Sequence, residues 1–232
     1  MELGQIHAKA LVTTPAVGWK RVYRDTIKRI IDSVLALVAL VLLWPIMIVI
    51  GVLVKLDSPG PALFVQQRIG KDGRSFRIYK FRTMTHSLEH SDHVKFMQAF
   101  VQGRLDSGPY SAPGVTYKPF TEFQVTRIGR FLRKTSLDEL PQIVNVLKGE
   151  MSLVGPRPNV PYEVQAYQDW HRERLSVLPG ITGLAQIAGR SALDFDTIAS
   201  YDIQYARQVS LGLDVQILIN TLLCVVKGKG AR

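Results

Sequence analysis

A single cysteine, Cys224, excludes any disulfide framework within these 232 residues and fits a reducing compartment. Acidic residues are scarce too: 19 Asp and Glu stand against 29 Lys and Arg, a formal net charge of +10. That balance favours anionic partners, whether nucleic acid, nucleotide or a phospholipid surface. There is no internal repeat and no low-complexity tract, which excludes a solenoid and a biased linker. Charge is missing altogether from Val34 to Val54. At about 1.5 Å per residue a helix of that length reaches roughly 30 Å, the thickness of a hydrocarbon core. The run starts too late, is too long and lacks a small-x-small cleavage site, so a secretory signal fits it poorly.

What flanks this run is basic on both sides. Lys20, Arg21, Arg24, Lys28 and Arg29 precede it, and Lys55, Arg68, Lys71, Arg74, Arg77, Lys80 and Arg82 follow. Positive charge marks the cytoplasmic side, so both ends read as cytoplasmic. Pro45, at the midpoint, removes one backbone hydrogen bond and bends a helix there. Two readings stay open: a helix that bends and returns to the same face, and a kinked spanning helix. Asp32, one turn after Lys28 and Arg29, can pair with them at the interface, so it needs no functional role.

The rest of the chain divides at breakers. Residues 1–27 read as a flexible tail, 28–57 as the membrane segment and 58–232 as the globular domain, with Ser58-Pro-Gly-Pro61 as the boundary. Ala62–Gln67 and Ser75–Phe81 read as strands of a hairpin around Ile69-Gly-Lys-Asp-Gly-Arg74. Helices are expected at Val94–Val101, from Thr135 or Ser136 as cap to Leu147, across Val160–Leu178, and at Ala199–Val209 and Val215–Val226. Pro179 to Gln186 reads as a glycine-spaced loop. The last helix suits a membrane surface or a buried core equally. The fold class expected is α/β in the α+β sense, mostly helical with one short β-hairpin.

The chemistry concentrates in Arg133-Lys-Thr-Ser-Leu-Asp-Glu-Leu-Pro-Gln142 and Lys148-Gly-Glu-Met-Ser-Leu-Val-Gly-Pro-Arg-Pro158. Asp138 and Glu139, in a first helical turn, can both approach a divalent cation and an anionic ligand. Carboxylates together with substrate phosphates are the usual magnesium site, and an aspartate is a competent nucleophile toward phosphorus. Taken alone, such acids are ordinary complements to a helix dipole. Gly155-Pro-Arg-Pro158 adds a guanidinium fixed between two prolines, a fork for phosphate oxygens. Lys80, Arg82, Arg130, Arg133, Gln186 and Arg190 are further residues for the same ligand; each by itself is an ordinary surface group. His86, His90 and His93, with Glu89 and Asp92, have metal-like spacing but read as a polar exposed segment.

Several blocks resemble the bacterial sugar transferases known as small monotopic phosphoglycosyl transferases. They are Lys28-Arg-x-x-Asp32, Gln67-Arg-x-Gly70, Tyr79-Lys-Phe-Arg-Thr-Met84, Arg127-x-Gly-Arg-x-Leu-Arg133, Thr135-Ser-Leu-Asp-Glu-Leu-Pro-Gln142, Asn145-Val-Leu-Lys-Gly149, Met151-Ser-Leu-Val-Gly-Pro-Arg-Pro158, and Pro179-Gly-Ile-Thr-Gly183 with Gln186 and Gly189-Arg190. They run in family order from about residue 28 to the C-terminus. The resemblance implies a re-entrant membrane helix hairpin broken at Pro45, and a cytosolic catalytic domain with interfacial amphipathic helices, at the bacterial inner membrane. It implies transfer of a sugar-1-phosphate from a nucleotide sugar, commonly a UDP-sugar, to undecaprenyl phosphate at the start of surface-glycan assembly. It also implies a ping-pong cycle with Asp138 as nucleophile, Glu139 as magnesium (Mg2+) ligand and Arg157 on phosphate. The pattern often has Ser-Pro at the membrane break where this chain has Trp44-Pro45, and Trp or Asn near Gln186 where it has Leu184 and Ala188.

A catalytically inactive membrane adaptor is the second reading, opposed by the intact Asp138, Glu139 and Arg157. A nucleic-acid-binding protein is the third, opposed by the absence of a recognition motif or aromatic platform. No nucleic-acid partner is therefore expected, and self-association as a homo-oligomer stays open.

Overall fold

The computed structural model describes residues 23–85, 90–104, 125–189 and 193–226. The expected flexible tail before residue 23 lies outside them. A π-helical turn, Tyr23–Ile27, runs into α1, a continuous 30-residue helix from Lys28 to Asp57 that carries Pro45 inside it. By length and composition α1 can cross a membrane. One stripe of α1 is buried or half-buried against the domain along the whole helix: Lys28, Asp32 and Ala36, then Leu40, Leu43 and Met47, then Ile50 and Val54. Steps of three and four residues keep these on one face. The other faces are bare and apolar, with Val41, Leu42 and Leu56 each more than 60% exposed.

The expected hairpin is present. β1 (Leu63–Ile69) pairs antiparallel with β2 (Ser75–Phe81), in the register Leu63 to Phe81 and Ile69 to Ser75. After α2 (His90–Val101), whose Phe96, Met97 and Phe100 are buried, the described chain resumes in α3 (Arg127–Thr135). The Thr126 side chain caps α3 by accepting from Gly129 N.

The acid-bearing segment differs from the expectation. Neither Thr135 nor Ser136 caps a helix over the acids. Ser136 sits in the left-handed region (φ 59°), and its N–H closes the end of α3 on Arg133 O and Leu132 O. Asp138 and Glu139 then occupy a separate 3-10 turn, Leu137–Glu139, and α4 (Gln142–Lys148) begins only after Pro141. Proline lacks the N–H needed inside a helix but is well suited to open one.

The single helix expected over Val160–Leu178 is two pieces: α5 (Pro161–Gln165) and a 3-10 stretch, Asp169–Ser176. Its buried residues, His171 and Arg174, are three apart, the period of a 3-10 helix. The glycine-spaced loop contains β4 (Gly180–Thr182), parallel to β3 (Ser152–Val154), followed by α6 (Leu184–Ala188). Three-residue strands, one of them opening on Gly180, leave little periodicity to read. α7 (Phe195–Gln208) and α8 (Leu211–Val226) start four residues earlier than expected. α8 is two-faced: Asp214 and Ile217 are buried, while Leu211, Val215, Ile219 and Leu222 are exposed.

Both ends of α1 are tied to the domain by polar contacts. Lys28 pairs with Asp214 at 2.8 Å and with Asp32 at 3.5 Å, and Asp32 accepts from Ser152 Oγ at 2.7 Å. Arg29 donates to the last carbonyls of α4, Val146 and Leu147. At the other end Asp57 accepts from Ile128 N at 2.8 Å.

Candidate functional site

Four of the expected site residues converge. β2 carries Lys80, the 3-10 turn carries Asp138 and Glu139, and the loop after β3 carries Arg157. Lys80 Nζ and Arg157 Nη1 both reach Glu139 Oε1, at 2.7 and 3.1 Å. Lys80 and Glu139 are mostly buried, whereas the Arg157 side chain is 45% exposed. Arg157 thus presents a cation to solvent from the rim of a buried charge cluster.

The electrostatics separate the two acids. Burial pushes the Asp138 carboxyl up and the neighbouring Glu139 adds to this; Lys80 and Arg157 oppose without reversing it. Burial would also raise Glu139, but Lys80 and Arg157, by charge and hydrogen bonds, hold it well below the usual carboxylate range. Burial lowers the Lys80 ammonium, with Glu139 pulling it back and Arg157 adding to the fall. Adjacent acids whose environments drive their affinities for protons apart are suited to different tasks. Glu139 is a fixed anion, and Asp138 is the less encumbered carboxylate.

Among the described residues no three His, Cys, Asp or Glu side chains converge on one point that could hold a metal. Asp138 and Glu139 offer hard oxygen donors that suit magnesium only where a ligand's own phosphate oxygens complete the shell. His86 and the side chains of His90 and His93 lie outside the described residues, as does Arg190.

Other expected phosphate contacts are placed differently. Arg82 is buried and donates to the carbonyls of Val54, Ser58 (2.6 Å) and Pro59, where it closes the C-terminal end of α1. It is a helix cap, not a member of the Glu139 cluster, because the last carbonyls of a helix need donors and β2 delivers one there. Arg133 is half-buried in the last turn of α3, shortly before the acids. Gln186 lies in α6 beneath the Gly155 turn; its amide is buried, with no hydrogen-bond partner for either end among the described residues.

The Arg157 loop is held by its carbonyls, because its prolines have no N–H to give. Pro156 O accepts from Gly180 N at 2.9 Å and Pro158 O from Arg68 Nη1 at 3.1 Å. Asn159 O accepts from Ile69 N at 2.9 Å. Gly155 permits the approach of β4: a Cβ there would overlap Leu178 O and lie 2.9 Å from Gly180 N. Arg157 O accepts from Arg174 Nη2 at 3.1 Å. The fully buried Arg174, with Asp202, Asn159 and Tyr167 around it, was not anticipated from the sequence. Asp202 gave a signal: it is an acid on the apolar face of α7 defined by Ala199, Ile203 and Ala206. Arg174, inside the polar run His171-Arg-Glu-Arg174, gave none.

The profile of the bacterial sugar transferase family matches residues 23–228. The chain is 41% identical over 206 residues to the galactosyl transferase CpsE of Streptococcus agalactiae, covering 88% of this chain and 43% of that protein. It is 39% identical to the undecaprenyl-phosphate galactose phosphotransferase of Salmonella typhimurium, over 88% of this chain and 41% of that one. It is also 39% identical to the exopolysaccharide production protein ExoY of Rhizobium meliloti, over 88% and 87% of the two chains. The chain thus spans less than half the length of the first two relatives and most of the third.

Proposed function

Since the chain belongs to the bacterial sugar transferase family, we propose that it is a phosphoglycosyl transferase, moving a sugar-1-phosphate from a UDP-sugar to undecaprenyl phosphate to begin a surface glycan. The observation that carries this reading is the convergence of Lys80 and Arg157 on Glu139, with Asp138 beside it. Relatives named as undecaprenyl-phosphate galactose and N-acetylgalactosamine phosphotransferases support the acceptor and the reaction class.

In this scheme the Asp138 carboxylate attacks the β-phosphorus of the nucleotide sugar. The bond from that phosphorus to the bridging oxygen breaks, and the nucleoside monophosphate leaves with the electron pair. An oxygen of undecaprenyl phosphate then attacks the same phosphorus and the Asp138 carboxylate departs unchanged. Arg157, half in solvent, binds phosphate oxygens as a fork. Lys80 keeps Glu139 ionised and adds positive charge where negative charge develops. Magnesium, held by Asp138 and Glu139 and completed by the diphosphate, would supply further charge neutralisation there.

The acceptor's phosphate lies at a membrane surface, and α1 fits such a setting. Both halves of α1 pack on the same domain, and both ends are tied to it. A domain on one face of a bilayer does not reach both ends of a straight spanning helix, which extends about 45 Å over 30 residues. This supports a helix that enters and returns on the cytoplasmic face of the inner membrane, with Pro45 at its deepest point.

The test is release of UMP from a panel of UDP-sugars with undecaprenyl phosphate, in the native chain and in Asp138→Asn. Loss of release in the variant is expected; unchanged turnover overturns the nucleophile assignment.

A further inference from the structure

Beneath the exposed Arg157 lies a second arginine with the opposite character. Arg174 is 2% exposed and has acceptors for all of its donors. Its Nε donates to Asp202 Oδ2 at 3.0 Å, and Nη2 donates to the same oxygen and to Arg157 O at 3.1 Å. Its Nη1 donates to Asn159 Oδ1 and to Tyr167 OH at 2.5 Å. A guanidinium has five N–H groups in a rigid planar fork, and here five bonds occupy them. One falls on the peptide of Arg157 itself and one on the side chain of Asn159, two residues further on.

Such saturation fixes a plane. Asp202 comes from α7, Tyr167 from the turn after α5 and Arg174 from the 3-10 stretch, so three elements meet at one group. Asn159 is braced in turn, donating to Glu163 Oε2 at 2.5 Å. Burial pushes the Tyr167 phenol up to about 12, against the pull of Arg174, so the hydroxyl stays neutral. The two prolines already restrict the backbone around Arg157; what they leave undetermined is how the whole turn sits relative to Glu139. The carbonyl of Arg157 is the nearest backbone handle to its own side chain.

We propose that Arg174 is a positioning residue for phosphate binding, which orients the Arg157 peptide so that the Arg157 guanidinium faces the diphosphate. This rests on the reading of Arg157 as a phosphate ligand. Arg174 does not touch the substrate. Its effect on binding passes through Arg157, whereas its effect on folding does not.

That distinction gives the test. Binding of inorganic pyrophosphate with magnesium is measured by calorimetry on the full chain in detergent, for the native protein, Arg157→Ala, Arg174→Lys and the double variant. Arg174→Lys keeps a cation for Asp202 but loses the planar fork. It is expected to weaken pyrophosphate binding about tenfold or more, as a displaced ligand does. In the Arg157→Ala background the same change should have almost no effect on affinity, while its drop in melting temperature persists. Losses in affinity that multiply, or a native protein that binds no pyrophosphate, overturn the proposal. Where Arg174→Lys does not fold, Tyr167→Phe removes one of the five acceptors and enters the same cycle, with a smaller loss expected and again none beside Arg157→Ala. A chain in which this cycle holds but Asp138→Asn turns over normally would retain the positioning role and lose the proposed reaction scheme.

Discussion

Glu139 receives two cations on one oxygen while its neighbour Asp138 is pushed the other way, an asymmetry that suits the separate roles proposed for the two acids. Glu139→Gln keeps the shape and removes the charge. It should lower UMP release by about 10²-fold or more, the scale of losing one preorganised electrostatic group. An unchanged rate would show that Lys80 and Arg157 do not need the anion. Gly155 has a purely steric duty. Gly155→Ala should lower the stability of the chain in detergent by about 1–3 kcal/mol, since the clash is with backbone that no rotamer change can relieve. Chemical type and chain position make Asp138, Glu139, Lys80 and Arg157 legible in the sequence: charged residues in short, turn-rich blocks stand out. Arg82 and Arg174 belong to equally basic blocks, and only the carbonyls they meet show that they are buried supports.

Secondary-structure ends carry much of the polar work in this chain. Arg82 closes α1 and Arg29 closes α4, each by donating to carbonyls of the helix end. Arg82→Met should therefore reduce thermal stability by about 2–4 kcal/mol, the order expected for several buried carbonyls losing a charged donor. KM for the nucleotide sugar should not change in the folded fraction; a raised KM with native stability would restore Arg82 as a phosphate contact. α7 offers a pH-dependent case. Asp194 caps it, accepting from Thr197 N at 2.8 Å and Thr197 Oγ1 at 2.7 Å, and these bonds hold its carboxyl below the ordinary range. A folded-state value below the unfolded one adds stability above the unfolded pKa, about 4, and loses it as pH falls through the folded value. Asp194→Ala should cost about 1 kcal/mol at neutral pH. The gap between variant and native melting curves should close as pH drops below about 4. A charge-free apolar run made α1 readable, and alternation of apolar and polar residues made β2 of the hairpin readable. The segments misread, Thr135–Leu147 and Val160–Leu178, are ones where 3-10 turns interrupt the α period and a non-glycine residue, Ser136, takes a left-handed conformation.

For the molecule as a whole, the topology of α1 sets on which face of a membrane the proposed reaction would take place. With Cys224 replaced by Ser, single cysteines at 26 and at 66 should both resist a membrane-impermeant label in intact cells. Labelling of either one from outside would establish a spanning helix. The bare apolar faces of α1 and α8 give the domain surfaces that water does not suit, and the half-exposed Arg157 guanidinium stands at the rim of the Glu139 cluster.

By itself the sequence determined the apolar length of α1, the presence of the acid pair and the rigid Gly155-Pro-Arg-Pro158 turn, because these depend on hydrophobicity, charge and backbone chemistry along a short stretch. Only the tertiary structure decided which cations serve the acids and which serve the fold. Lys80 lies 59 positions from Glu139, and Arg174 lies 28 from Asp202. No local rule reports a contact over such a separation. Whether a guanidinium binds phosphate or holds up a loop depends on what burial leaves around it.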